Sequence, residues 1–206
     1  MTVIIDYDLG NVGSILNILH LIGERAFISK NADDILSADR LIIPGVGSFD
    51  EGMKNLKKYG LDKAIIKAAN KGTPILGICL GMQLLGMKSE EGTESGLGLI
   101  PFETKRFCFL DNSLKIPHMG WDLISIRENN ELTVDLEKQE QRFYFVHSYY
   151  ACCKEDKYSM MNCEYGIVFS AGVRNKNVYG VQFHPEKSHS FGIKLFENFV
   201  RINNVQ

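Results

Sequence analysis

The chain has no apolar run approaching the roughly 18 residues that argue a membrane-spanning helix. It has no long block of lysine and arginine, and its formal net charge is −2. Nucleic acid and anionic membrane surfaces are therefore not its expected partners. The five cysteines, Cys79, Cys108, Cys152, Cys153 and Cys163, are odd in number and never spaced C-x-x-C. That argues against a disulfide framework and a zinc ribbon, and the expected location is the reducing cytoplasm. The opening MTVIIDYDLGN lacks a basic segment and meets an acid at Asp6, so it reads as a first strand and not as a signal peptide. No linker, repeat or low-complexity segment interrupts the 206 residues, which suffice for one domain, 1–206, with a full core.

What is present is a regular alternation. TVIIDY is a short apolar run of the kind that fits a buried parallel strand. A turn and a helical segment with Ile15, Leu19 and Ile22 follow. RAFIS is a second strand, and RLIIP a third that stops at Pro44-Gly45. Helices are expected around 50–58 and 61–71. In the latter, positions 61, 64, 65, 68 and 69 form one apolar stripe, and Gly72 is a C-terminal stop. TPILGI is the fourth strand, and CLGMQLLG starts a helix directly after it. This pattern predicts an α/β fold: an open, mostly parallel twisted sheet with helices on both faces. From about 102 to 183 the strands crowd together as TKRFCFL, WDLISI, RFYFVHSYY, SMMNCEY, IVFSAGVR and VYGVQF, which predicts an antiparallel extension. The last helix is expected at SFGIKLFENFVRI, with Phe191, Leu195, Phe199 and Ile202 on one face.

Three places could carry chemistry. Gly77-Ile78-Cys79-Leu80-Gly81 has the form of a nucleophile elbow with cysteine in place of serine. A thiol there would sit at a helix N-terminus, where thiolate is favoured; the alternative is a small buried core residue. In VYGVQFHPEKS, extended chain would put His184 and Glu186 on one side, and a carboxylate-held imidazole facing a thiol activates it. The alternative is a surface H-P-E turn. Pro44-Gly45-Val46-Gly47-Ser48 follows the third strand. Its glycines let backbone N–H groups point at a ligand, with the N–H of Leu80 as a second donor; the alternative is a plain turn. No GK[ST] or GxGxxG pattern is formed there. His184, Glu186 and His189 lack H-E-x-x-H spacing, so no metal or cofactor is expected. All three places fall at the ends of strands, where open α/β sheets bind ligands.

The stretches IIDYDLGNVGSI, IIPGVGSF, GICLGMQLL, SEEGTESGLGLI, KIPHMGW, YFVHSYY and GVQFHPEKS carry a resemblance that runs nearly end to end. The chain resembles the class I (triad) glutamine amidotransferases, which have a flavodoxin-like sheet. Within them it is most similar to the glutaminase subunits of imidazole glycerol phosphate synthase. The resemblance implies that Cys79 attacks the side-chain amide of glutamine, that His184 moves the protons, and that Glu186 orients His184. It implies an oxyanion hole from Val46, Gly47 and Leu80, and glutamine contacts from Gln83, Glu91, His147, Ser148 and Tyr149. Gln83 lies four residues after Cys79, so a helix returns it to the same face. The resemblance also implies a heterodimer with a cyclase, a (β/α)8 barrel that takes up the ammonia for histidine biosynthesis, with Asn11, Pro117, Met119, Trp121 and Lys187 as docking candidates. Trp121, the only tryptophan, has core packing as its alternative role. One departure is Asp122, where the family usually has asparagine. Ionised aspartate only accepts hydrogen bonds. A paralogous glutaminase subunit serving another acceptor, such as a sugar in surface-polysaccharide synthesis, is the alternative reading.

Overall fold

The structure, a computed structural model, describes residues 1–109, 114–136 and 141–203. Four parallel strands open the chain: β1 (Thr2–Ile5), β2 (Ala26–Ser29), β3 (Arg40–Ile43) and β4 (Ile75–Ile78). Between and after them lie α1 (Val12–Leu21), α2 (Ala32–Ser37), α3 (Phe49–Lys58), α4 (Leu61–Asn70) and α5 (Leu80–Leu84). The second half supplies β5 (Lys88–Ser89), β6 (Phe102–Arg106), β7 (His118–Ile126), β8 (Gln141–His147), β9 (Tyr149–Cys153), β10 (Ser159–Tyr165), β11 (Ile167–Asn175) and β12 (Val178–Val181). The helix α6 (His189–Arg201) follows.

The strand order is β2-β1-β3-β4-β12-β11-β10-β7-β8, with β5, β6 and β9 joined to one side through β11. The first five of these pair in parallel and the rest are antiparallel, apart from the short β5–β6 pair. β1, β4 and β12 are buried along their whole length, as expected of strands covered on both faces. Alternate residues serve opposite faces. Val3, Ile5, Leu41, Ile43 and Ile75 pack with residues of α2, α3, α4 and α5. Ile4, Ile42, Leu76 and Ile78 pack with residues of α1 and α6. The predicted stripe of α4 is the buried one, Leu61, Ala64, Ile65, Ala68 and Ala69. Full burial of Leu61 or Ile65 contributes about 1.5–3 kcal/mol each.

Three local expectations change. RFYFVHSYY is two strands broken at Ser148, because β8 pairs with β7 while β9 pairs with β6 and β11. The TKRFCFL strand begins earlier, at Phe102, and ends at Arg106; Phe107 leaves the ladder to donate its N–H to the Ser148 carbonyl, and Leu110 lies outside the described residues. The short helix α2 was not anticipated between the second and third strands. It is announced by Asn31, whose side chain accepts from the Asp33 N–H as an N-cap.

Candidate active site

The three candidate places lie at the C-terminal ends of β3, β4 and β12, which are neighbours in the sheet. Cys79 follows β4 directly and has φ 53° and ψ −111°, a region L-residues adopt only under constraint, at a cost of about 1–3 kcal/mol. The constraint is crowding. A Cβ at Gly81 would lie 1.8 Å from the Ile43 carbonyl oxygen, and one at Gly77 would lie 2.6 Å from the Gly81 carbonyl oxygen. The two glycines let helix α5 start against the ends of β3 and β4, which turns the Cys79 side chain out of the sheet. The strand-to-helix turn is thus a nucleophile elbow in geometry as well as in sequence.

Cys79 lies beneath a cavity of about 410 Å³, within the range of small-molecule sites. Its lining is Val46, Gly47, Cys79, Leu80, Gln83, Glu91, Pro117, Val146, His147, Ser148 and Tyr149. Every residue predicted for the oxyanion hole and for glutamine contact is in that wall. Gly47 has φ +119°, a conformation open to glycine, and Val46 is exposed. Gln83 donates its side-chain amide to the Tyr149 carbonyl at 3.3 Å and to Gln182 Oε1 at 3.1 Å. Glu91 Oε2 accepts the Phe49 N–H at 2.9 Å, so it is tied to the start of α3.

His184 and Glu186 do not line the cavity. They lie behind Cys79, 1% and 3% exposed, and His184 Nδ1 is 2.7 Å from Glu186 Oε1. The pairing was expected from extended chain, but only His184 is extended; Pro185–Lys187 forms a 3-10 turn that brings Glu186 under the ring. Burial opposes a charge on His184, yet the Cys79 thiol and the Glu186 carboxylate outweigh it and raise its pKa to about 10. His184 Nε2 and Glu186 Oε2 are buried with no hydrogen-bond partner of their own. A cysteine with such a pair behind it has the parts for nucleophilic acyl transfer.

Two further residues of the site were not singled out from the sequence. Gln182, fully buried, donates to Cys79 Sγ at 3.7 Å and links it to Gln83. Its signal is a glutamine in the otherwise apolar run VYGVQF, directly after β12. Tyr7 donates its hydroxyl to the Pro44 carbonyl. Burial, and then Cys79, push its phenol far above the usual value, so it stays protonated. It holds the turn that carries Val46 and Gly47.

Of the docking candidates, one lines the cavity and the other four do not. Pro117 is in the wall itself. Met119 and Trp121 project from the outer face of β7, 61% and 42% exposed, so Trp121 is not a core residue. Its ring stacks on His189 at 5.3 Å. Lys187 reaches over the Tyr144 ring at 5.6 Å. Asn11 is an exposed N-cap of α1, accepting from the Ser14 N–H at 3.2 Å. Among the described residues, no three His, Cys, Asp or Glu side chains form a group that could hold a metal ion.

Residues 3–202 match the family model for glutamine amidotransferase class-I. The chain belongs to that family. It is 52% identical over 202 residues to imidazole glycerol phosphate synthase subunit HisH 2 of Methanococcus maripaludis, covering 98% of this chain and 99% of that one. It is 47% identical over 203 residues to the HisH 2 subunit of Pseudomonas aeruginosa, covering 98% and 100%. The fold matches the structure of PurLQS from Thermotoga maritima with a TM-score of 0.75 at 22% identity, over 97% of this chain and 96% of that one. This class I amidotransferase therefore has the expected open sheet, mostly parallel in its first half.

Proposed function

We propose that this enzyme is the glutaminase subunit of an imidazole glycerol phosphate synthase, working as one domain over 1–206. The observation that carries the mechanism is the strained Cys79 at the elbow, with the His184–Glu186 pair behind it and the cavity in front. Cys79 gives its proton to His184 as Sγ attacks the carboxamide carbon of glutamine. Val46, Gly47 and Leu80 receive the developing oxyanion on backbone N–H groups. His184 protonates the departing nitrogen, and ammonia leaves a γ-glutamyl thioester on Cys79. His184 then takes a proton from water, which attacks the thioester and frees glutamate and the thiol. Glu186 holds the ring and stabilises its charge. Gln83, Glu91 and the His147–Tyr149 wall hold the amino-acid end of glutamine.

The acceptor is a cyclase with a (β/α)8 barrel, which joins this chain in a heterodimer. It uses the ammonia to form imidazole glycerol phosphate and aminoimidazole carboxamide ribotide in histidine biosynthesis. The ammonia must pass directly, because in neutral water most of it would be protonated and lose its nucleophilic lone pair. The exposed apolar residues Met119 and Trp121, on the strand that follows the cavity-lining Pro117, suit such a docked partner, with Lys187 and Asn11 as further candidates. We place the enzyme in the cytoplasm; its five cysteines are all free, and among the described residues no helix is long and apolar enough to cross a membrane.

A second reading changes only the acceptor, to another synthase such as a sugar amidotransferase. It is favoured by Asp122 on the docking strand. The test is glutamate production by the chain alone, then with the cyclase and its ribotide. Stimulation by the pair, lost in Cys79→Ala, is expected. A fully active Cys79→Ala sinks the mechanism, and a folded, active chain indifferent to the cyclase sinks the histidine-pathway acceptor.

A further inference from the structure

Behind the cavity wall runs a line of hydrogen bonds that the triad does not use. His147 Nδ1 lies 2.8 Å from the Tyr149 carbonyl oxygen. His147 Nε2 lies 3.0 Å from His118 Nδ1. His118 Nε2 lies 2.7 Å from Asp122 Oδ2. Both imidazoles are buried, whereas the Asp122 side chain is 40% exposed.

The two ends of this line are both acceptors. A carbonyl accepts and never donates, and so does an ionised carboxylate. Three contacts need three protons, but two neutral imidazoles carry only two. All three contacts are satisfied only when a further proton is present. His147 is not its carrier: burial, joined by His118 and His184, lowers its pKa to about 3, against the pull of the Tyr149 carbonyl. The proton therefore belongs to the His118–Asp122 end. There the His118 ring is stacked between Phe145 of β8, at 4.8 Å, and Tyr165 of β10, at 4.1 Å. Phe107 and Phe169 meet its edge. Among the described residues, the titratable groups around the pair are His147 from β8, and Tyr165 and Cys163 from β10. Burial, then Asp122, push the Cys163 thiol up to about 12, so it brings no charge.

We propose that His118 and Asp122 are positioning residues for the glutamine site: sharing a third proton, they fix His147 as its Nδ1–H tautomer and so pin the Tyr149 carbonyl. This rests on the cavity being the glutamine site. The pinned carbonyl is also the acceptor of Gln83, so it joins the strand wall of the cavity to helix α5. Without the third proton, the Asp122 charge keeps the His118 Nε2–H, and His118 Nδ1 becomes an acceptor. His147 then has one proton for two acceptors, His118 Nδ1 at 3.0 Å and the Tyr149 carbonyl at 2.8 Å. The pin is shared between them and weakened. Burial lowers the His118 pKa while Asp122 opposes the shift. The proton is therefore released as pH rises through a value below the ordinary histidine range.

The test uses the full chain in a Cys79→Ala background, so that glutamine binds without turnover. Two-bond 1H–15N spectra of the imidazoles report tautomer and charge, and calorimetry reports the glutamine Kd from acid to neutral pH. At the acid end, His147 as Nδ1–H and a doubly protonated His118 are expected. Glutamine Kd should weaken about tenfold as His118 deprotonates, the scale of one hydrogen bond. Asp122→Asn supplies an N–H to His118 Nε2, satisfies all three contacts with neutral rings, and should hold the tight Kd at every pH. His118→Phe keeps a ring between Phe145 and Tyr165 but donates nothing, and should be weak at every pH. Should that variant not fold, Asp122→Asn and the spectra decide. A merely structural role would shift Kd equally at all pH values. His147 protonated on Nε2 at the acid end, or the same pH dependence in Asp122→Asn as in its parent, overturns the proposal while glutamine binding stands. A parent that binds no glutamine, with the tautomers as expected, overturns the glutamine reading and the positioning role with it.

Discussion

Replacing Gly81 by alanine tests whether the elbow geometry itself is what makes Cys79 reactive. The new Cβ would sit 1.8 Å from the Ile43 carbonyl oxygen and 2.7 Å from its carbon. Real Cβ contacts essentially never fall below 3.0 Å, so a gap must open by roughly 1.2 Å. Neither side yields easily. Ile43 ends β3 in the centre of the parallel sheet, fully buried, and Gly81 belongs to the first turn of a helix packed on that sheet. The displacement therefore falls on the start of α5 and on Cys79, two residues away. Misplacing a reacting group by about 1 Å costs on the order of 100-fold in rate. Gly81→Ala should thus lower glutaminase kcat/KM by at least about 100-fold. Gly13→Ala is the control: it is also a helical glycine, but nothing lies within 4 Å of its Cβ, so it should leave activity unchanged and stabilise the chain by about 0.4–1 kcal/mol. Glutamate release, thermal unfolding and labelling of Cys79 by a glutamine-derived electrophile together read both variants. Wild-type turnover in a folded Gly81→Ala would refute the claim that close approach of α5 to β3 sets the nucleophile.

Three other outcomes follow from the geometry. Glu186→Gln removes an anion that raises the His184 pKa, so the histidine step in the pH–rate profile should move to lower pH and kcat/KM should fall about 10²–10⁴-fold; an unmoved profile refutes the pairing. Asp50 accepts the backbone N–H groups of Glu94 and Thr93, which hold its carboxyl below the usual range and pin the loop carrying Glu91. That pin persists above the ordinary carboxylate pKa and is lost as pH falls through the lower folded value. Asp50→Asn should raise glutamine KM about 3–10-fold with kcat nearly unchanged, and a fall in kcat alone would count against it. Trp121→Ala should leave the stability of the free chain within about 1 kcal/mol, yet weaken binding of the cyclase by about 30-fold or more, as measured by titration of the stimulated activity.

The parts of the fold that were legible in the sequence are those where burial alone decides. The VII of β1, the LII of β3 and the ILGI of β4 are fully buried and read as short apolar runs, and the α4 stripe matches its buried face residue for residue. Where tertiary context decides, the sequence is ambiguous. Nothing in RFYFVHSYY marks Ser148 as the break, because β8 and β9 are separated by their partners and not by their composition. Helix α2 has a single buried residue, Ile35, too little for a periodic signal. The elbow and its glycines were visible as a motif, because crowding there leaves no room for other residue types. The line from Asp122 to His147 was not. Its members come from two antiparallel strands: the register His118↔His147 joins the two histidines, and Asp122 meets His118 from four residues on along β7.

The position of β12 has a consequence for synthesis. This strand is the last in the chain, yet it lies between β4 and β11 and joins the parallel half to the antiparallel half. Its partner β4 is about a hundred residues earlier. On the ribosome, the edge of β4 waits unpaired until most of the chain has emerged, which is a slow, long-range closure and an exposed template for wrong pairings. The same event delivers His184 and Glu186 to a cysteine already formed at the elbow. On the proposed mechanism, a partly made chain lacks its base, and glutamine hydrolysis is expected only once the sheet is closed.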